Sequence, residues 1–324
     1  MDRVTSTEPS ETSRMKKAAA IRYIFFAAFF AVAICFMVSC ASERPTMAVK
    51  KKARSFEDLA LESYNRGDME DALYYFKKAL EWDQSVNNLE GMASSLHNIA
   101  RCYVNLGLTE NAEKVLDEAL EINNNISNMS GTADNVILLA TIASDEGAYE
   151  EALDLITRGY DLYAEEKNRG GVAMALNNRG SIYLKQGRYE EAAEAIDNAI
   201  ALYSKEKNHG GLAAAYNNLG HFYELTGHNE KAIELYLLAL EEDKYIENSL
   251  GISSDLHTIA ELYKNTGDFE KALFYYKRAS EVNRRLDLVS RLRNDLQNII
   301  DILASMGRSE EKESYERALA ELAQ

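Results

Sequence analysis

This chain of 324 residues contains only two prolines, Pro9 and Pro45, so no proline beyond residue 45 interrupts a long helical array. Its formal net charge of −16 argues against nucleic acid or an anionic membrane surface as the main partner, because both require a basic footprint. Cys102 is the only cysteine after Cys40, which excludes a disulfide within the rest of the chain.

The first predicted element is an export signal. Lys16, Lys17 and Arg22 precede an uncharged apolar run over residues 23–38, an arrangement typical of the charged and hydrophobic regions of a signal peptide. The run of 16 residues is shorter than the roughly 18–20 residues of a membrane-spanning helix. The sequence therefore predicts a cleaved signal, with an uncleaved anchor as the alternative.

The apolar run ends in Val38-Ser39-Cys40, which resembles the bacterial lipobox, a motif in which a small residue precedes the cysteine that receives diacylglycerol. Met37 departs mildly from the leucine that is usual at its place. The resemblance implies a mature lipoprotein that begins at lipidated Cys40. Such a protein is anchored outside the cytoplasm, in the cell membrane or the outer membrane, and faces the periplasm.

Two starts of translation stay open. Residues 1–14 are rich in Ser, Thr and Glu, unlike the beginning of a signal peptide, so translation begins at Met1 or at Met15. We expect the signal peptide over residues 1–39 and a lipidated, lysine-containing tether over residues 40–52.

The next elements are tandem repeats, because seven glycines lie forty residues apart: Gly67, Gly107, Gly147, Gly187, Gly227, Gly267 and Gly307. Small and large residues recur at fixed distances on both sides of each glycine, in steps of three and four. Such spacing predicts two amphipathic helices joined by a tight turn in every unit. The glycine is expected to end the first helix in the left-handed conformation.

This order of large, small, tyrosine, glycine turn, alanine, aromatic and alanine resembles the tetratricopeptide repeat over about residues 53–322. The unit is six residues longer than the usual 34 and resembles the forty-residue subclass of polarity-complex adaptor proteins. The resemblance implies an all-α fold, an α-solenoid wound as a right-handed superhelix of about seven helix-turn-helix units. The expected units are 53–90, 91–130, 131–170, 171–210, 211–250, 251–290 and 291–322.

Three further patterns support this organisation. Asparagine and glycine recur three residues apart between the units, as in Asn88 and Gly91, and suit a helix end and restart. A glutamate follows each glycine by three residues, where it faces the positive end of the second helix. In the last unit Lys312 and Glu316 replace the alanine and the aromatic residue, which is typical of a terminal cap.

No chemical motif stands out. The chain has five histidines, none of which pairs with a cysteine or another histidine at metal-ligand spacing. Phosphate-binding loops and nucleophile elbows are also missing from the sequence. We therefore expect no enzyme activity, no metal and no cofactor.

By resemblance to the family, the first helices of successive units line a concave groove. The candidate binding residues in it are His97, Arg101, Asn177, Ser181, Asn217, His221, Glu224, His257, Glu261 and Lys264. Side chains of this kind bind an extended peptide through its main chain. The alternative is that they are ordinary solvated polar residues.

The leading hypothesis is a lipid-anchored scaffold that binds a protein or peptide partner in the bacterial cell envelope. One alternative is a ligand- or substrate-handling accessory subunit of an envelope transport system. Another is a peptide-responsive regulator, which the export signal argues against. Self-association of the repeats stays open.

Overall fold

The structure, a computed structural model, describes residues 47–322. The chain divides into two compact units, Met1–Lys52 and Ala53–Gln324. The expected signal peptide, Cys40 and the first part of the tether lie outside the described residues.

Helices account for nearly all of the described chain, and no strand occurs within residues 47–322. The first helix, α1, covers 47–66. It is followed by α2 (Met69–Ser85), α3 (Leu89–Asn105), α4 (Thr109–Asn125), α5 (Met129–Asp145), α6 (Tyr149–Glu165), α7 (Arg169–Lys185), α8 (Tyr189–Glu206), α9 (His209–Leu225), α10 (Asn229–Tyr245), α11 (Ser249–Asn265), α12 (Phe269–Arg285), α13 (Val289–Ser305) and α14 (Ser309–Glu321).

Successive helices pack as hairpins in the unit Ala53–Gln324. Each odd-numbered helix from α3 onward packs against the even-numbered helix that follows it, and each even-numbered helix packs against the next odd one. The odd helices also touch one another directly, α3 with α5, α5 with α7 and α7 with α9. The fold is therefore the all-α solenoid that the repeat predicts.

Two kinds of turn alternate along the solenoid. Within each hairpin the glycine of the forty-residue series is left-handed, with φ between +71° and +86°, as predicted. Between hairpins the left-handed residue is never glycine: it is Asn87, Ser127, Lys167, Lys207, Glu247 or Asp287, with φ between +51° and +58°. An asparagine then caps the next helix in five cases, and in four of them its side chain accepts the N–H of the repeated glycine.

The core consists of alternating large and small columns. Nine residues after the turn glycine, the large residue is at most 3% exposed in six units: Phe76, Leu116, Ile156, Ile196, Tyr236 and Tyr276. The alanine five residues after the glycine is fully buried in the same six units. Burying one large apolar side chain stabilises the fold by about 1.5–3 kcal/mol, so these columns hold the hairpins together.

The last described helix, α14, differs from the earlier helices. No residue of α14 is buried, whereas every earlier helix from α2 to α13 buries four or more. Lys312 and Glu316 form an ion pair of 3.2 Å on its surface.

The first hairpin also meets hairpins far along the chain. A β-carbon on Gly67, in the α1–α2 turn, would lie 2.6 Å from Leu250 Cδ2 and 3.1 Å from Leu288 Cδ2. A cavity of about 670 Å³ beside this contact is lined by residues of the α1–α2 turn and of the α12–α13 turn. The solenoid therefore brings its first turn against the starts of α11 and α13.

Candidate functional site

The ten candidate residues lie on α3, α7, α9 and α11, on the side of the odd helices that we call the odd-helix face. Residues spaced by three and four positions share one side of a helix, and neighbouring odd helices are in contact. The structure therefore gathers the candidates on one surface, although most of them already have partners within the chain.

The candidates ten residues before the turn glycine bond to the next odd helix. His97 Nδ1 lies 2.8 Å from Asn135 Oδ1, and His257 Nδ1 lies 2.6 Å from Asp295 Oδ1. In the same register Asn217 donates to Asp255 Oδ1 at 2.8 Å. Each pair is 38 residues apart, so the bonds form a repeated link between neighbouring hairpins. Burial lowers the pKa of His97.

Four further candidates are also engaged. Asn177 accepts from Asn218 at 3.0 Å, and Lys264 donates to Asn298 at 2.7 Å. Glu224 accepts a hydrogen bond from the Tyr236 O–H at 2.8 Å. The Arg101 guanidinium makes a cation–π contact with Tyr64, 4.5 Å from the centre of the ring. These contacts stabilise the stack of hairpins and reduce what the groups can offer to a partner.

Three candidates stay available. Ser181 is half-buried and His221 is exposed, and neither makes a side-chain hydrogen bond to the described residues. Glu261 is exposed and lies 3.8 Å from His257 Nε2. The available groups therefore lie on α7, α9 and α11, towards the middle and the C-terminal half of the array.

Arg179 on α7 lies eight residues before its turn glycine, at a position that holds leucine or isoleucine in the other six units. Its guanidinium lies 5.3 Å from the centre of the Tyr160 ring and is half-buried. The charge stays near solvent while the stem packs, so it needs no buried counter-ion.

Sequence reasoning missed a buried polar column sixteen residues after each turn glycine. Its members are Asp83, Asn123, Tyr163, Tyr203, Asp243 and Asn283, all at most 5% exposed. Each lies at the end of an even helix, beside the start of the next odd helix. The fixed position in the forty-residue register was the available signal, but the residue types vary too much to be read as one column.

The two tyrosines of this column line a cavity of about 500 Å³ between the starts of α7 and α9. Their rings pack against glycines, since a β-carbon on Gly171 or Gly211 would come within 2.3 Å of Tyr163 or Tyr203. Asp134 and Met174, from successive odd helices, also line the cavity. Its volume is within the range of small-ligand sites.

A buried acidic pair lies between α10 and α11. Burial raises the pKa of Asp255 to about 7, and its neighbour Asp243 contributes to the increase. The pKa of Asp243 is raised as well, again chiefly by burial. One of the two carboxyl groups therefore holds a proton near neutral pH, and Asn217 and Asn248 supply the remaining hydrogen bonds.

Residues 47–322 contain neither a membrane-spanning helix nor a cluster of metal ligands. None of these helices combines the length and the apolar character needed to cross a bilayer. In the same range no three His, Cys, Asp or Glu side chains converge in a way that would hold a metal ion.

The chain matches the tetratricopeptide repeat in five overlapping segments, 53–125, 91–165, 131–205, 171–244 and 212–285. Among curated proteins no sequence matches it.

Among solved structures, a Rap protein complexed with competence and sporulation factor is 18% identical, covers 83% of this chain and 73% of its own, and has a TM-score of 0.61. BtubC from P. vanneervenii is 19% identical, with coverage of 68% and 92% and a TM-score of 0.51. A signal transduction ATPase with a tetratricopeptide repeat sensor from Pyrococcus horikoshii is 20% identical, with coverage of 86% and 45% and a TM-score of 0.54. At these identities the likeness concerns the fold.

Proposed function

Because this chain belongs to the tetratricopeptide repeat family, we propose that it is a lipid-anchored scaffold that binds a protein or peptide partner in the bacterial cell envelope. The observation that carries the binding role is the odd-helix face. It presents available polar groups, including Ser181 and His221, on hairpins that are held rigidly by bonds between neighbouring helices. Rigid helices with free polar groups favour recognition of a partner segment.

The anchoring part rests on the sequence around Cys40. Residues 41–46 separate this cysteine from the first described helical residue. Six extended residues span at most about 20 Å, so the repeats would stay close to the membrane surface. Lys50, Lys51 and Lys52 would then lie within reach of anionic head groups.

An accessory subunit that handles a ligand for a transport system is the second candidate. The cavity of about 500 Å³ between α7 and α9 favours it, because this volume is within the range of small-ligand sites. A peptide-responsive regulator is the third, supported by the similarity of fold to the Rap protein complexed with its factor. Export through the predicted signal peptide opposes this third function.

Fractionation of cells that express Cys40→Ser tests the anchor. We expect the wild-type protein in membranes, with a diacylglycerol adduct on Cys40 detected by mass spectrometry, and the variant in the soluble fraction. Cys102→Ser is the matched control and should stay in membranes, since its buried thiol lies in the repeats. An unmodified Cys40 in a membrane-bound protein would exclude lipid attachment.

Capture of the native protein from solubilised membranes tests the binding role. The wild type should recover a partner that is lost when both Ser181 and His221 are changed to aspartate, because two new charges would occupy the odd-helix face. The control changes the exposed Thr157 on α6 to aspartate and should retain the partner. Equal recovery from all three proteins would exclude the odd-helix face.

A further inference from the structure

The residues around the cavity between α7 and α9 have equivalents one repeat earlier, between α5 and α7, and three of these, Asp134, Tyr163 and Asn168, also line the cavity. Four positions that surround the two places are related by the forty-residue repeat. They are Ser130 and Gly170, Asp134 and Met174, Tyr163 and Tyr203, and Asn168 and Asn208.

At the α5–α7 place, both donors find acceptors inside the protein. The Tyr163 O–H donates to Asp134 Oδ1, and the Asn168 side-chain amide donates to Ser130 Oγ at 3.3 Å. Tyr163 is 1% exposed, so the Asp134 carboxylate removes the cost of burying its hydroxyl.

At the α7–α9 place, both acceptor side chains are replaced by residues that cannot accept these hydrogen bonds. Gly170 stands where Ser130 would be, and Met174 stands where Asp134 would be. Tyr203 is 4% exposed and lines the cavity, yet its hydroxyl has no hydrogen bond to any described residue. The Asn208 side-chain oxygen caps α9 by accepting the Gly211 N–H at 2.9 Å, but its amide donates to no described residue.

The remaining features of the cavity also suit an acceptor. Burial raises the pKa of Tyr203 to about 12, so the phenol stays protonated at neutral pH. Its O–H group is therefore a hydrogen-bond donor, and an acceptor in the cavity would stabilise it. Gly170 and Gly210 lie in the first turns of α7 and α9, where backbone N–H groups have no partner within the helix. Both helix starts carry partial positive charge, which favours an anion.

We propose that this cavity binds a carboxylate group, which takes the position that Asp134 occupies one repeat earlier. The carboxylate accepts from the Tyr203 O–H and from the Asn208 amide. No lysine or arginine is among the lining residues, and the one acidic residue among them, Asp134, already accepts from the Tyr163 O–H, so recognition depends on neutral donors and helix ends. The inference rests on the proposed function, in which a partner segment supplies the carboxylate from an acidic side chain or from its chain terminus.

Saturation-transfer NMR on the purified full-length protein tests the assignment with four small probes. N-acetylglycine carries a terminal carboxylate and N-acetylaspartate methylamide carries a side-chain carboxylate. N-acetylglycinamide and N-acetylasparagine methylamide are their neutral counterparts. We expect saturable transfer to at least one carboxylate probe and none to its neutral counterpart, and the probe that binds identifies the source of the group.

Two substitutions and one control locate the binding. Tyr203→Phe should weaken carboxylate binding roughly tenfold or more, the value of a hydrogen bond to a charged acceptor. Tyr74→Phe should leave it unchanged, since Tyr74 is exposed on α2 and does not line the cavity. Met174→Asp should abolish binding, because it restores the internal acceptor of the preceding repeat. Circular dichroism checks that each variant is folded.

Equal transfer to carboxylate and neutral probes, or unchanged binding in Tyr203→Phe or Met174→Asp, would overturn the proposal. The probe experiment needs no partner and no membrane. If the wild-type protein binds none of the carboxylate probes but still captures its partner, only the carboxylate site is rejected. Intact probe binding with no partner at the odd-helix face would reject only the scaffold function.

Discussion

Two adjacent glycines at the start of α7 should respond in opposite ways to alanine. A β-carbon on Gly171 would lie 2.2 Å from Tyr163 Cδ1 and 2.4 Å from its Cγ, which is far closer than van der Waals contact. The ring cannot move aside easily, because it is 1% exposed and its hydroxyl is bound to Asp134. A β-carbon on Gly170 would meet only Asn168 Oδ1, at 3.7 Å.

The expected magnitudes follow from these distances. Replacing glycine by alanine at an unstrained helical position stabilises a protein by about 0.4–1 kcal/mol, so Gly170→Ala should raise the free energy of unfolding by roughly 0.5 kcal/mol. At Gly171 the same gain is opposed by overpacking, which costs about 1–3 kcal/mol. Breaking the bond between Tyr163 and Asp134 would add about 1–3 kcal/mol. Gly171→Ala should therefore destabilise the protein by roughly 1.5–5 kcal/mol.

Urea unfolding followed by circular dichroism at 222 nm measures both variants against wild type. The midpoint should fall for Gly171→Ala and rise slightly for Gly170→Ala, with the slope of the transition unchanged. A midpoint for Gly171→Ala at or above that of wild type would refute the reasoning, because it would mean that the Tyr163 ring is not held as the structure places it.

Three further predictions concern other parts of the molecule. The Asp255 carboxyl has a pKa of about 7 in the folded state and about 3.9 in the unfolded state, so the folded state binds the extra proton between these values and the free energy of unfolding should fall as pH rises from about 4 to 7, by at most about 1.4 kcal/mol per pH unit. Asp255→Asn should remove this pH dependence from the urea midpoints. An unchanged pH dependence would contradict the assignment. The Cys102 thiol is fully buried, and burial raises its pKa to about 11. A disulfide reagent at pH 8 should therefore label it only after urea unfolding. Rapid labelling of Cys102 in the native protein would contradict its place in the core. Leu250→Ser should weaken the contact between α11 and the α1–α2 turn. Fluorophores attached at Asp68→Cys and Ser290→Cys, in a Cys102→Ser background, should then lie further apart. An unchanged distance would show that Leu250 does not hold the turn.

The parts of the fold that depend on local sequence were predictable. The glycine turns follow from the forty-residue spacing, because glycine adopts positive φ without the cost of a side chain. The exposed polar surface of α14 follows from the forty-residue register in the same way. The signal peptide, Cys40 and the limits of the units remain predictions.

The parts that depend on contacts between hairpins were not predictable. The six left-handed positions between hairpins, from Asn87 to Asp287, hold five different residue types, so no residue type marks them. The bond between His257 and Asp295 joins positions 38 residues apart, and the relative placement of two helices is not encoded in either one. For this reason the sequence identified a polar surface but could not tell which of its residues the protein itself would use.

Tyr203 illustrates the same limit within the candidate site. Its ring belongs to a column that also contains aspartate and asparagine, and only the neighbouring helix decides whether its hydroxyl has an acceptor. The difference between Asp134 and Met174 is visible in the sequence, but its meaning appears only when the two repeats are compared in three dimensions.

Site-specific photo-crosslinking in intact cells tests the binding claim most directly. A photoreactive amino acid at Ser181 or His221, both on the odd-helix face, should give a crosslinked product of the same mass with one envelope protein. The same amino acid at the exposed Asp154 on α6 should give no such product. A product from position 154 with none from positions 181 and 221 would contradict the proposal that the odd-helix face holds the partner.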